Sequence, residues 1–287
     1  MAETPQIAGG VGSKEDGASW KFDVRWPTSP DSTVYDLSHS MHPGMTHHPN
    51  HPPFAFSLTK AHGDIMYPEG VSASAEMISL GGHVGTHIDA LSHVSRDGMV
   101  CGSLSIVDNQ SYTDGMGEQS IDGMAPVIAN AHLLDLPTLL GREVTEEDGV
   151  GADEFERWFA DHPAPEAGSV VLVRFGWDRY WSDIGKYLGI ADGVPGVTLS
   201  GAEWLSERSI LATGADTIAY EKYPPYGQLA TDVHVHLLVE KGIPIMEALH
   251  LAELSAAGCW EFLFIAVPMK IRGGTGSPIR PLAVVGG

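Results

Sequence analysis

The chain has 287 residues, 43% of them apolar, and carries 16 Lys+Arg against 37 Asp+Glu, a formal charge of −21. That much apolar text excludes a disordered acidic chain. The negative charge repels phosphate backbones and anionic lipid, so no nucleic acid and no membrane surface is expected as a partner.

Residues 1–32 read as a polar, Gly-rich lead-in and 33–287 as one domain. Met1 to Gly17 lacks the basic start and apolar run of a secretory leader, and no run reaches the length of a membrane span. Cys101 and Cys259 form neither a CxxC site nor a disulfide framework, so the expected setting is the reducing cytoplasm. From Thr33, the text VYDLSHSM reads as a short strand running into a Pro-rich connection. His39–Pro53 holds five histidines (His39, His42, His47, His48, His51) and four prolines, a loop expected to rim a site. Residues 73–89 give a strand-and-turn signal. Further strands are expected at Pro126–Leu134, Ser169–Phe175, Asp216–Tyr220, Phe262–Val267 and Arg280–Val285. Helices are expected at Asp153–Ala160, at Ser200–Arg208 with Ser200 as N-cap, and at Thr231–Lys241 with a stop at Gly242. Strands alternating with a few helices indicate a mixed α/β domain. His132 reads as a satisfied core histidine, His62, His162 and His250 show no partner signal, and Glu143–Asp148 reads as a solvated loop or helix start.

The densest chemical signal is Gly82-His83-Val84-Gly85-Thr86-His87-Ile88-Asp89-Ala90-Leu91-Ser92-His93, with four metal-competent side chains in eleven residues. Gly85 and the β-branched Val84, Thr86 and Ile88 argue against a helix. All four candidates are odd-numbered, so an extended segment aims them to one side. A straight strand separates His83 from His87 by roughly 13 Å, too far to share one ion, so a bend is needed, and Gly85 can supply it. Imidazoles with a carboxylate suit Zn²⁺, Mn²⁺ or Fe²⁺ better than Mg²⁺ or Ca²⁺.

HVGTHIDALSH resembles the HxGTHxDxxxH signature of the cyclase family of metal-dependent hydrolases, which includes bacterial kynurenine formamidase and isatin hydrolase. Asp36-Leu37-Ser38-His39, Val171-Leu172-Val173-Arg174-Phe175-Gly176-Trp177, Gly214-Ala215-Asp216-Thr217 with Glu221, and Gly276-Ser277-Pro278-Ile279-Arg280 resemble other segments of that family. The resemblance runs from about Thr33 to Val285. It implies a single α/β domain of the swivelling β/β/α type, with a mixed central sheet and flanking helices. It makes His83, His87 and Asp89 ligands of a divalent metal, Zn or Mn, and His93 the catalytic acid/base. A second ligand pair is implied, His234 with Glu247, and His236 competes with His234. One ion or two, bridged by Asp89, remain alternatives. Leu91 replaces a proline frequent in the family, and Phe175 replaces a small polar residue; His39, Phe54 and Phe175 are the candidate substrate contacts.

A divalent ion lowers the pKa of bound water from 15.7 to about 7 and polarises a carbonyl. A nearby cation keeps His93 neutral, fit to take one proton and deliver another to a leaving nitrogen. The expected activity is metal-dependent hydrolysis of a C–N bond in a small cyclic amide, imide, lactam (isatin-like) or aryl formamide. Alternatives are an arylesterase or non-hydrolytic cyclase on the same site, and a non-catalytic metal-binding protein. The expected partners are a small-molecule substrate and further copies of the chain, as a homodimer or homotetramer. No G-x-S-x-G surrounds Ser38, Ser92 or Ser277, which argues against a serine hydrolase.

Overall fold

The computed structural model of the chain describes residues 32–225 and 231–286. The expected lead-in over 1–32 lies outside them except for Ser32. Strand β1 (Thr33–Asp36) is followed by a two-stranded hairpin, β2 (Ala55–Lys60) and β3 (Ala75–Ser79). Next come β4 (His87–Asp89), β5 (Val127–Asp135), β6 (Val170–Arg174), β7 (Ala212–Ala215) and β8 (Ile245–Glu247). β9 (Glu261–Ala266), β10 (Gly276–Pro278) and β11 (Leu282–Val285) complete the frame. All but the hairpin join one nine-stranded mixed sheet in the order β1-β11-β9-β5-β6-β7-β8-β4-β10. β5 through β8 run parallel, and the strands outside them pair antiparallel.

β6 is apolar from Val170 to Val173 because both its faces are covered. On β6, Val171 and Val173 enter one core cluster while Val170 and Leu172 enter the other. Helices α2 (Ala152–Phe159) and α3 (Leu199–Glu207) close the first cluster through Phe155, Trp158, Trp204 and Leu205. A one-turn helix, α1 (Leu136–Leu140), leaves β5 directly, capped by Asp135, which accepts from the Thr138 N–H. Helix α4 (Asp232–His234) continues as a π-helix over Val235–Lys241 and stops at Gly242, whose φ of +68° is the left-handed cap expected there. α5 (Ala252–Ala256) covers the second cluster with Leu254. The class is thus mixed α/β with few helices, and no helix among the described residues is long and apolar enough to cross a membrane.

Two expected elements move. The strand expected at Asp216–Tyr220 lies instead at Ala212–Ala215. Asp216 ends it, because its two carboxylate oxygens accept the N–H groups of Phe175 and Trp177 and turn the chain away. Helix α3 begins at Leu199 with Thr198, not Ser200, as N-cap; the Ser200 hydroxyl sits 3.1 Å from that of Thr198.

Candidate metal centre

Gly85 provides the bend, with φ +65°, and an added Cβ there would lie 2.9 Å from Met45 Cε. The bend folds His83 back over β4. His87 and Asp89 then share one face of β4, while Ile88 between them is wholly buried in the second core cluster. Antiparallel register with β8 sets Glu247 opposite His87, placing His87 Nε2 3.4 Å from Glu247 Oε2. α4 delivers His234, whose Nε2 is 3.2 Å from Glu247 Oε1 and 3.8 Å from Asp89 Oδ2. Asp89 Oδ1 is 2.7 Å from His83 Nδ1 and 3.6 Å from His87 Nε2. Two buried triads result, His83–His87–Asp89 and Asp89–His234–Glu247, each with its donor atoms within 4.8 Å of one another.

Surrounding groups fix the rings. His87 Nδ1–H donates to the Gly85 carbonyl over 2.8 Å, which leaves the Nε2 lone pair facing the cluster. His83 packs so tightly on Gly276 that a Cβ there would sit 2.4 Å from its Cε1. Glu221 closely engages His234 Nδ1 and also accepts the Val233 N–H, so a carboxylate outside the triads orients a ring within one. Tyr220 and Ala248, flanking Glu221 and Glu247, hold left-handed φ values of +53° and +52°. Such a conformation costs a non-glycine residue on the order of 1 kcal/mol, which the surrounding packing offsets.

The cluster attracts positive charge. Burial opposes protonation of His87 and His234, yet the neighbouring carboxylates raise both, led by Glu247 for His87 and by Glu221 and Glu247 for His234. Burial likewise pushes Asp89 up, but His93, His83 and His87 outweigh it and hold its carboxyl well below the usual range. Asp89 Oδ2 is buried without a hydrogen bond. An orphaned carboxylate oxygen beside three imidazoles and a second carboxylate fits a divalent transition metal.

His93, in the turn after β4, stacks on His83 with ring centroids 3.8 Å apart. Burial lowers its pKa to about 4. It faces a cavity of about 130 Å³ lined also by His83, His87, His234 and Glu247. From the Pro-rich loop, His48 and His51 join this lining, and the His51 ring lies 4.8 Å from that of His83. The expectation of a rimming loop holds, with side chains other than the one singled out.

His39, Phe54 and Phe175 do not line the cavity. The His39 ring stacks on Trp181 at 4.0 Å, Phe54 packs with Met45 and Val84, and Phe175 is wholly buried in the first core cluster. His236 turns away, with Nε2 3.0 Å from the Ser206 hydroxyl and Nδ1 3.1 Å from Glu240, so His234 is the ring that reaches the cluster. Three histidines read as partnerless have partners: His250 Nδ1 lies 3.1 Å from Asp178, His162 stacks on Trp158, and His62 meets the Ser72 hydroxyl. His132 is buried as expected, although its Nδ1 has no hydrogen bond. Glu221 belongs to a segment that resembles the family, but the resemblance gives it no role; its contact with His234 does.

A family model described as "Putative cyclase" matches residues 35–222, a span that contains the first triad and His93 and ends before His234 and Glu247. Isatin hydrolase of Roseibium aggregatum is 29% identical over 213 residues, covering 72% of this chain and 73% of that protein. Isatin hydrolase A from Ralstonia solanacearum superposes with a TM-score of 0.69 at 27% identity, covering 88% of this chain and 92% of that one. The crystal structure of a novel cyclase gives a TM-score of 0.81 at 22% identity, over 89% of each chain. With well over half of its residues matched by the family model, the chain belongs to the cyclase family.

Proposed function

We propose that the protein is a metal-dependent hydrolase that opens a C–N bond of a small cyclic amide, imide or lactam, isatin-like, or of an aryl formamide. The observation carrying this reading is the convergence of two buried triads on Asp89 beside a neutral His93 that faces a cavity. His83, His87, Asp89, His234 and Glu247 would hold the metal, Zn or Mn, as one ion or as two sharing Asp89. Such an ion supplies Lewis-acid polarisation of a carbonyl and a lowered pKa for coordinated water. His93, uncharged at neutral pH, accepts the proton of the attacking water at its imidazole nitrogen and returns it to the leaving nitrogen. Glu221 keeps the Nδ1 side of His234 occupied, so that Nε2 stays turned to Asp89 and Glu247. Similarity to isatin hydrolases favours a lactam over the other substrates.

The test combines metal analysis of purified protein with a panel of isatin, N-formylkynurenine, cyclic imides, bicyclic lactams and aryl esters. Uptake of one water is expected, seen as a product heavier by one water from a cyclic substrate or as free amine plus formate from N-formylkynurenine. Preferential ester cleavage would favour the arylesterase reading, and a ring closure without water uptake the cyclase reading. A protein that retains no metal, or turnover indifferent to chelators, would sink the proposal. The swivelling β/β/α architecture and a cytoplasmic setting accompany this reading. A homodimer or homotetramer does too, supported by the half-exposed Phe56, Leu58, Met77 and Ile78 of the β2–β3 hairpin and checked by light scattering.

A further inference from the structure

The carboxyl ends of β5 and β6 open on a cavity of about 510 Å³ that shares no lining residue with the metal centre. β6 ends at Arg174, whose Nη1 donates to buried Asp135 over 2.8 Å. Five residues on, Arg179 lies over the Tyr180 ring, 4.6 Å from its centroid, and donates to the carbonyls of Gly176 and Val144. Gly176 stands between them at φ +66°, and an added Cβ would lie 3.3 Å from both Arg174 Nη2 and Arg179 Nη1. Two like charges thus approach one point. Each guanidinium carries five N–H donors; Arg174 spends one on protein and Arg179 two, and Arg174 Nε is buried with no partner.

Asp135 pairs with Arg174, and Asp216 and Asp178 also act on it, whereas Arg179 has no carboxylate closer than Glu143 among the described residues. Of the carboxylates lining the cavity, Asp178 is engaged by His250 at 3.1 Å, and Glu143 is exposed and 4.0 Å from Arg179. Arg142, also at the rim, is already bound through both Nη atoms to Asp148. His250 borders the same space, and its hydrogen bond to Asp178 raises its pKa. In a chain with 37 acidic residues, two guanidinium forks converging on a cavity are suited to an oxyanion, which can bridge them.

We propose that this cavity is an oxyanion-binding site, distinct from the metal centre, that takes a small carboxylate or phosphate between Arg174 and Arg179. The proposal does not depend on the hydrolase reading. Calorimetric titration of the purified, metal-loaded chain with inorganic phosphate and, separately, benzoate at constant ionic strength tests it. Saturable binding of at least one probe is expected, weakened about tenfold in Arg179→Gln and partly restored in Arg179→Lys, which keeps the charge but not the fork. Arg179 contacts only carbonyls and rings closely, and circular dichroism checks that both variants are folded. Both probes can also bind a metal, so the titration is repeated on Asp89→Asn, where binding should persist. Phosphate or benzoate binding alone assigns the ligand class. Absence of saturable binding, binding indifferent to Arg179→Gln, or loss of binding in Asp89→Asn would overturn the proposal.

Discussion

Replacing His93 by alanine separates holding a metal from using it. His93 is absent from both triads, so the variant should retain metal in wild-type stoichiometry. Its pKa of about 4 lies some three units below neutrality, which leaves only about one imidazole in a thousand protonated at pH 7. Practically every molecule therefore carries an uncharged imidazole at that position. Loss of a positioned acid/base typically costs 10²–10⁴-fold, or about 3–5 kcal/mol of transition-state stabilisation. The loss should fall on kcat and on kcat/KM alike, because the imidazole acts on a proton in flight. His93 also stacks on His83, so removing its ring frees space beside His83, and His93→Gln fills part of it. The assay pairs metal content by mass spectrometry with steady-state rates on the best substrate of the panel. Full metal content with wild-type kcat in either variant refutes the assignment, and loss of metal together with rate would make His93 a structural support.

Glu221→Gln keeps the shape but weakens the hold on His234 Nδ1, and metal affinity should fall about 10–100-fold in competition with a chelator; unchanged affinity would remove Glu221 from the site. Phe175→Ala empties a wholly buried position and should cost about 3–5 kcal/mol in denaturant unfolding, without a selective change in KM across the panel. A shifted substrate preference at near-normal stability would return Phe175 to the pocket. Burial, then Asp178, raises the Asp216 carboxyl to about 7 from 3.8. Folded Asp216 thus keeps a proton that the unfolded chain has released, so this contribution is full below pH 3.8 and is lost as pH rises to about 7, a change on the order of 4 kcal/mol. Asp216→Asn should be less stable overall, because its amide nitrogen cannot accept from Phe175 or Trp177, yet should flatten that limb of the stability–pH curve. An unflattened limb counts against it.

The face of β4 that carries His87 and Asp89 is legible in the text because period-two spacing and a bend-permitting glycine are local properties. β7 is not. Its residues Ala212-Thr213-Gly214-Ala215 have weak strand propensity, and they are small because β8 lies close: a Cβ on Gly214 would meet Met246 Cβ at 2.8 Å. Small size here is a tertiary demand, and the more β-branched stretch after Asp216 drew the strand signal instead. The Pro-rich loop fails for another reason. Without periodicity, nothing in its spacing distinguishes His39, packed on Trp181, from His48 and His51, which reach the cavity. That His234 and not His236 reaches the cluster likewise depends on what faces each ring.

The pairing of β4 with β8 also bears on how the centre tolerates change. Met246↔Ile88 and Glu247↔His87 are adjacent rungs of one ladder, and both Ile88 and Met246 are wholly buried in the second core cluster. A methyl group removed from Ile88 is felt on the opposite side of the strand, where His87 and Asp89 have donor atoms separated by a few ångströms. Substitution at these core positions is therefore coupled to the spacing of the His87 and Asp89 donor atoms. Substitutions that a stability measurement would score as mild should register first as altered metal preference.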